Sequence, residues 1–148
     1  MNRRNILWSA ASALGAALAA SRASAAEPAA PGKSKVVYHL SDLDKAGFVM
    51  GNIQNHLDGV GGPENVTIAL VVHGPALRAF HLSEASPDLS RRLGQFSREG
   101  VELAACGNTM KAQNITLTDL LPGFVSAEKG GVVRLAELQS QGYLYLRP

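Results

Sequence analysis

Hydrophobic and polar positions alternate in blocks along residues 35–148, and the blocks predict five strands separated by helices. The predicted strands are short runs rich in apolar and β-branched residues, at 35–40, 65–72, 101–105, 124–126 and 143–146. The run NVTIALVV at 65–72 is almost wholly apolar, which is typical of a strand that is covered on both faces.

Between these runs, apolar residues recur every three or four positions and predict helices at 44–57, 87–98, 108–114, 117–121 and 128–139. The side chains expected to face the core are Phe48, Val49, Ile53 and Leu57 in the first helix, Leu89, Leu93 and Phe96 in the second, and Val132, Leu135 and Leu138 in the last. Asp42 or Asp44 can cap the first helix.

Strands that alternate with helices indicate βαβ units with right-handed crossovers. A chain of 148 residues is long enough for one such domain. The expected fold is a three-layer α/β/α sandwich around a mostly parallel five-stranded sheet. In such sheets, ligands bind beyond the carboxyl ends of the strands.

The N-terminal segment is typical of an export signal. Arg3 and Arg4 precede an apolar stretch at 6–20, and Ala23-Ser24-Ala25 is an A-x-A cleavage motif. The paired arginines favour the twin-arginine pathway; an ordinary secretory signal or an uncleaved anchor are the alternatives. We therefore expect a signal peptide at 1–25, a flexible Pro/Ala/Gly linker at 26–34 and one domain at 35–148. The expected location is the periplasm, without stable membrane insertion after cleavage.

Charge excludes two classes of partner. The chain has 14 Lys+Arg against 12 Asp+Glu, but three arginines lie within the first 22 residues. Without the signal segment the balance is nearly neutral, and no basic run remains. Binding to nucleic acid or to anionic membranes through bulk charge is therefore not expected.

Three chemically versatile residues lie at the ends of the three clearest strands: His39, His73 and Cys106. Parallel strands would bring them to one edge of the sheet. Gly107 lets the backbone turn tightly after Cys106, and Asn108 or Thr109 can cap the next helix. A thiol at a helix N-terminus has a lowered pKa and forms the nucleophilic thiolate more readily. The alternative is that Cys106 is a small buried residue that ends a strand.

A single cysteine excludes an internal disulfide and a zinc site made of cysteines alone. His39, His73 and Cys106 could instead form a Cys/His₂ site for copper or zinc, but their spacings match no compact metal motif. The glycine-rich segment 59–62 lacks the GK[ST] ending of a phosphate loop. No cofactor is expected.

Four segments together resemble the DsrE/DsrF-like family, in its small, single-domain and poorly characterised branch. They are VVYHLSD at 36–42, NIQNHL at 52–57, ALVVHGPAL at 69–77 and GVELAACGNTM at 100–110, and the ending QGYLYLRP is also similar. The resemblance implies a five-stranded α/β fold, trimers or hexamers, and transfer of sulfane sulfur as a cysteine persulfide. The family's cysteine falls on Cys106, and His73 would lie beside it.

The resemblance and the residues together lead to one functional hypothesis and one alternative. The hypothesis is a periplasmic sulfur carrier or sulfurtransferase, in which Cys106 and His73 are catalytic and His39, Gly107, Asn108 and Thr109 bind the substrate. Its partners would be a sulfur donor or acceptor protein, or a small sulfur compound. The alternative is a non-enzymatic protein that binds a small ligand or a metal, or that acts as an oligomeric interaction partner.

Overall fold

A computed structural model describes residues 32–148. Five strands and four helices alternate along these residues. The strands are β1 (Ser34–Leu40), β2 (Val66–Val72), β3 (Glu102–Cys106), β4 (Phe124–Ala127) and β5 (Leu144–Leu146). The helices are α1 (Ala46–Gly59), α2 (Pro87–Arg98), α3 (Gly107–Gln113) and α4 (Gly131–Ser140). The predicted signal peptide and most of the predicted linker lie outside the described residues.

All five strands run parallel in one sheet with the order β4-β3-β2-β1-β5, which confirms the predicted α/β fold. The register aligns Val72 of β2 with Leu40 of β1 on one side and with Ala105 of β3 on the other. The carboxyl ends of the three central strands therefore lie side by side.

The strand order explains how the helices are divided between the two faces of the sheet. From β1 to β4 the chain steps in one direction, so right-handed crossovers keep α1, α2 and α3 on one face. The return from β4 to β5 runs in the opposite direction and carries α4 across the other face. A large apolar cluster fills the first interface, whereas a much smaller one lies under α4.

Several local predictions differ from the structure. The predicted helix at 117–121 is a short 3₁₀ turn at Leu117–Asp119, and residues Gly74–Phe80 form a 3₁₀ segment where no helix was expected. Neither Asp42 nor Asp44 caps α1, because a 3₁₀ turn at Leu43–Lys45 leads into that helix.

Two side chains that were expected to face the core are exposed: Phe48 and Val132. Val132 is 69% exposed because it is in the first turn of α4, on the side that faces away from the sheet. Of the three residues predicted to face the core from this helix, only Leu135 and Leu138 pack against the sheet. None of the helices within residues 32–148 is long and apolar enough to cross a membrane.

Candidate functional site

The sheet places the three predicted residues on one face at its carboxyl edge. Side chains alternate along a strand, so His39 shares a face with Val37, and Cys106 shares one with Ala104. Both Val37 and Ala104 belong to the small cluster under α4. His73 directly follows β2 and lies next to Cys106 in the continued register of β2 and β3. The expected convergence of these residues is therefore present.

Cys106 ends β3 and occupies the N-cap position of α3. Its side chain is buried, with 5% of the residue exposed. Burial raises the pKa of the thiol, but this effect is outweighed by hydrogen bonding to the thiolate. The Thr109 hydroxyl and the N–H groups of Thr109, Gly131 and Asn108 stabilise the anion, and the net pKa is lowered. The site therefore favours a nucleophilic thiolate.

The sequence suggested that Asn108 or Thr109 caps α3. Neither does, because the helix begins at Gly107 and its N-cap position is Cys106. Thr109 instead connects two parts of the site. Its Oγ1 accepts a hydrogen bond from the backbone N–H of Gly74 at 2.9 Å, and it also stabilises the Cys106 thiolate. Gln113 donates to the carbonyl oxygen of Gly74 at 3.1 Å. The turn that carries His73 is thereby held against α3.

Two glycines of the site are required by close approach rather than by unusual dihedral angles. A Cβ on Gly107 would lie 3.1 Å from the carbonyl oxygen of Ala127. A larger residue at this position would therefore crowd the backbone that follows β4. A Cβ on Gly131 would lie 3.2 Å from the Cβ of His73 and 3.3 Å from the Cβ of Cys106. The start of α4 is therefore packed directly between the histidine and the cysteine.

The imidazole rings of His39 and His73 meet edge to edge, and their planes are nearly parallel. Their ring centroids are 4.7 Å apart, and the two Nε2 atoms are 2.5 Å apart. Burial, His73 and Arg147 together lower the pKa of His39 to about 4, although Asp42 opposes them. Burial and Arg147 also lower the pKa of His73, again against Asp42. Both rings are therefore neutral near pH 7.

The sequence analysis missed the contribution of the C-terminal residues. Tyr145 of β5 places its hydroxyl 2.5 Å from Nδ1 of His39. Arg147 donates to the Ser41 hydroxyl at 2.9 Å and lies 3.5 Å from the Asp42 carboxylate. The available signal was the position of Tyr145 in a predicted strand, but only the pairing of β5 with β1 places it beside His39.

A cavity of about 530 Å³ lies beside Asn108 and Thr109, the two residues that follow Gly107, and Cys106 itself does not line it. It lies between α3 and the 3₁₀ segment, and its lining includes Asn108, Thr109, Gly74 and the exposed Arg78. Within residues 32–148 no three His, Cys, Asp or Glu side chains are grouped as a metal site would require. The Cys/His₂ metal alternative therefore has no support from this geometry.

Comparison with known proteins identifies the family. The model of the DsrE/DsrF-like family matches residues 9–148 of the chain. The chain belongs to the DsrE/DsrF-like family. This membership confirms the resemblance drawn from the segments around Tyr38, His73 and Cys106. No curated protein matches the chain by sequence.

Solved structures from three organisms share the fold of this DsrE/DsrF-like chain. A protein of unknown function, MTH1491 from Methanobacterium thermoautotrophicum, is 24% identical, with a TM-score of 0.68 over 78% of this chain and 99% of its own. BT1422 from Bacteroides thetaiotaomicron, also of unknown function, is 15% identical, with a TM-score of 0.57 over 78% and 95%. The ychN protein from E. coli is 14% identical, with a TM-score of 0.55 over 79% and 100%. At these identities the likeness establishes the fold alone.

Proposed function

We propose that the protein is a sulfur carrier or sulfurtransferase that accepts sulfane sulfur on Cys106. One observation carries this proposal. Burial raises the pKa of the thiol, yet the Thr109 hydroxyl and the N–H groups of Thr109, Gly131 and Asn108, at the starts of α3 and α4, lower it by more. The same donors suit a persulfide anion, since its charged outer sulfur lies only one S–S bond, about 2 Å, beyond the position of the thiolate sulfur.

The transfer step follows from thiolate chemistry. The Cys106 thiolate attacks the terminal sulfur of a donor R–S–SH. A new S–S bond forms on Cys106 while the S–S bond of the donor breaks, and the bonding electron pair leaves with R–S⁻, which takes up a proton. Thiosulfate is an equivalent donor, with sulfite as the leaving group. No external oxidant is needed, because the sulfane sulfur is already oxidised in the donor.

The neighbouring residues have roles that agree with this step. His73 lies beside Cys106 and can exchange a proton with the leaving thiolate. Asn108 and Thr109 border both the thiol and the adjoining cavity, so they are suited to contact the donor. Gly107 leaves space beside Ala127 for the close turn, and His39 holds the His73 ring.

The low exposure of Cys106 favours a small sulfur compound as the donor. The residue is 5% exposed, so a folded protein could reach its thiol only with an extended segment, whereas the cavity beside Asn108 and Thr109 admits a small molecule. A persulfide would extend outward by one sulfur atom and would be more accessible to an acceptor protein.

Export and assembly are part of the proposal. The paired arginines and the A-x-A motif support transport to the periplasm. The exposed apolar side chains of Val125, Val132 and Val133 lie on the thin α4 side of the sheet and support a homo-oligomer, with the trimers or hexamers of the family as the expected states.

The proposal is tested by intact-mass measurement of the protein after incubation with polysulfide or thiosulfate. We expect a gain of one sulfur atom that is lost on reduction, and no gain in Cys106→Ser. The same gain in Cys106→Ser would contradict the assignment. A thiol that stays unmodified and inert to alkylating reagents would favour the alternative, a protein that binds ligands or partners without catalysis.

A further inference from the structure

We propose that Tyr145, His39 and His73 form a proton path from solvent to the neighbourhood of Cys106, with the Tyr145 hydroxyl at its outer end. The path itself depends only on the geometry of the three side chains. Its use in sulfur transfer rests on the proposed function of Cys106.

The path consists of two consecutive contacts between side chains that are far apart in the sequence. The Tyr145 hydroxyl lies 2.5 Å from Nδ1 of His39, and Nε2 of His39 lies 2.5 Å from Nε2 of His73. His39 is 8% exposed and is therefore sealed inside the protein, whereas Tyr145 is 40% exposed. The tyrosine thus links the buried ring of His39 to solvent, and His73 is partly exposed.

The inner end of the path lies next to the cysteine. Cγ of His73 lies 3.5 Å from the position of a Cβ on Gly131. The Cβ of Cys106 is 3.3 Å from the same position. Within residues 32–148 no protein group is hydrogen-bonded to Nδ1 of His73. In the proposed path this nitrogen contacts a molecule bound at Cys106.

The short contact between the rings couples their tautomers. Two facing Nε2–H groups would clash, and two facing lone pairs would repel, so one proton lies between the two neutral rings. When His39 holds it, Nδ1 of His39 accepts from Tyr145 and Nδ1 of His73 carries a proton. When His73 holds it, Nδ1 of His39 donates to Tyr145 and Nδ1 of His73 is an acceptor. Only these two arrangements satisfy all contacts of the neutral rings.

The surroundings of the two rings favour proton transfer in which neither ring becomes an imidazolium. Burial disfavours an imidazolium on either ring and so lowers its pKa, Arg147 adds to this effect, and Asp42 partly opposes it. On the same face of the sheet Glu102 and Arg134 pair with each other, and the Cys106 thiolate adds a negative charge. A switch between two neutral tautomers avoids the cost of placing a positive charge between Arg147 and the buried rings.

In sulfur transfer the switch would deliver one proton to the leaving group. A donor R–S–SH loses R–S⁻ when its S–S bond breaks, and Nδ1 of His73 gives this sulfur its proton. In the same step His39 passes the Nε2 proton to His73, and Tyr145 passes its own to Nδ1 of His39. Tyr145 is then a phenolate, which takes a proton from water and releases hydroxide. The negative charge of the Cys106 thiolate therefore ends in solvent, and no group is oxidised or reduced beyond the sulfur exchange.

Tyr145→Phe tests the path, because it removes the outer hydroxyl and keeps the ring. Tyr143→Phe is the matched control, since Tyr143 packs beside the small apolar cluster and contacts neither histidine. The first readout is the ¹⁵N NMR shifts of both imidazoles. We expect Tyr145→Phe to shift the two tautomer equilibria in opposite directions, so that one ring gains Nδ1–H as the other loses it. A change at His39 alone, or no change, would overturn the coupling.

The second readout is the rate of persulfide formation from glutathione hydropersulfide between pH 6 and pH 9. We expect Tyr145→Phe to slow the reaction by on the order of tenfold near pH 7 and to alter the pH profile, while Tyr143→Phe stays within about twofold of the unmodified protein. An unaltered pH profile in Tyr145→Phe would overturn the role in transfer. If the unmodified protein forms no persulfide, the proposed function fails, and the NMR result still decides the proton path.

Discussion

His39 and His73 face each other through their Nε2 atoms at 2.5 Å, although 34 residues separate them in the chain. Two adjacent parallel strands bring them together, and the third strand adds Cys106 on the same face. A pair of neutral imidazoles next to a stabilised thiolate is suited to moving protons during thiol chemistry. Several measurable consequences arise from this arrangement.

Acid should destabilise the protein before its carboxylates titrate. The folded-state pKa of His39 is about 4 against 6.5 when unperturbed, so between these values the unfolded state binds more protons than the folded state. The contribution of His39 to the free energy of unfolding is therefore fully present above pH 6.5 and is lost as the pH decreases towards 4. We expect a loss of on the order of 2 kcal/mol from His39 between pH 7 and pH 5. Urea unfolding at a series of pH values measures it.

Replacement of the histidine isolates its contribution. His39→Gln should flatten this part of the pH dependence, whereas His56→Gln, on α1 at the other face, should keep it. The lowered pKa of His73 adds in the same direction. Equal stability of the unmodified protein at pH 7 and pH 5 would contradict the burial of neutral histidines.

Gly131→Ala should destabilise the protein and reduce the reactivity of the thiol. Its new Cβ would lie 3.2 Å from that of His73 and 3.3 Å from that of Cys106, so at least one of them must move. We expect a cost of about 1–3 kcal/mol, measured by chemical unfolding. Gly51→Ala in α1 is the control, because no atom lies within 4 Å of its new Cβ, and it should stabilise by about 0.4–1 kcal/mol. Equal effects of both changes would refute the tight packing.

Thr109→Val should raise the thiol pKa, because it removes the hydroxyl that stabilises the Cys106 thiolate. The pH dependence of iodoacetamide alkylation measures this change, and we expect a several-fold slower reaction at pH 7. Thr109→Ser retains the hydroxyl and should behave like the unmodified protein. If Thr109→Val alkylates with an unchanged pH profile, the hydroxyl does not contribute to thiolate stability.

The attachment of α4 to the sheet depends on a two-point ion pair. Arg134 donates to the Glu102 carboxylate of β3 through Nε at 2.9 Å and Nη2 at 2.7 Å, and both side chains are partly buried. Arg134→Met should lower the free energy of unfolding by about 1–2 kcal/mol. Lys129→Met removes an exposed pair with Glu137 at 3.8 Å and should cost less than about 0.5 kcal/mol. Comparable losses would mean that the pair with Glu102 adds nothing beyond surface charge.

The elements of the fold were predictable because their signals are local. Apolar runs marked all five strands, and β1 begins at Ser34, one residue before the predicted start. The predictions failed where a local signal had two meanings. Val132 fits the apolar period of α4, but its position in the first turn, facing away from the sheet, leaves it exposed.

The sequence by itself determined the family, the parallel α/β sheet, and the presence of His39, His73 and Cys106 at strand ends. Apolar periodicity and turn residues carry this information, because they act over a few neighbouring positions. Tertiary structure alone decided that Tyr145 completes the histidine pair and that Gly131 supplies an N–H to the thiolate. Both depend on the return crossover of α4 and on the pairing of β5 with β1. Handedness and burial set these contacts across the whole sheet, and no local pattern of residues encodes them.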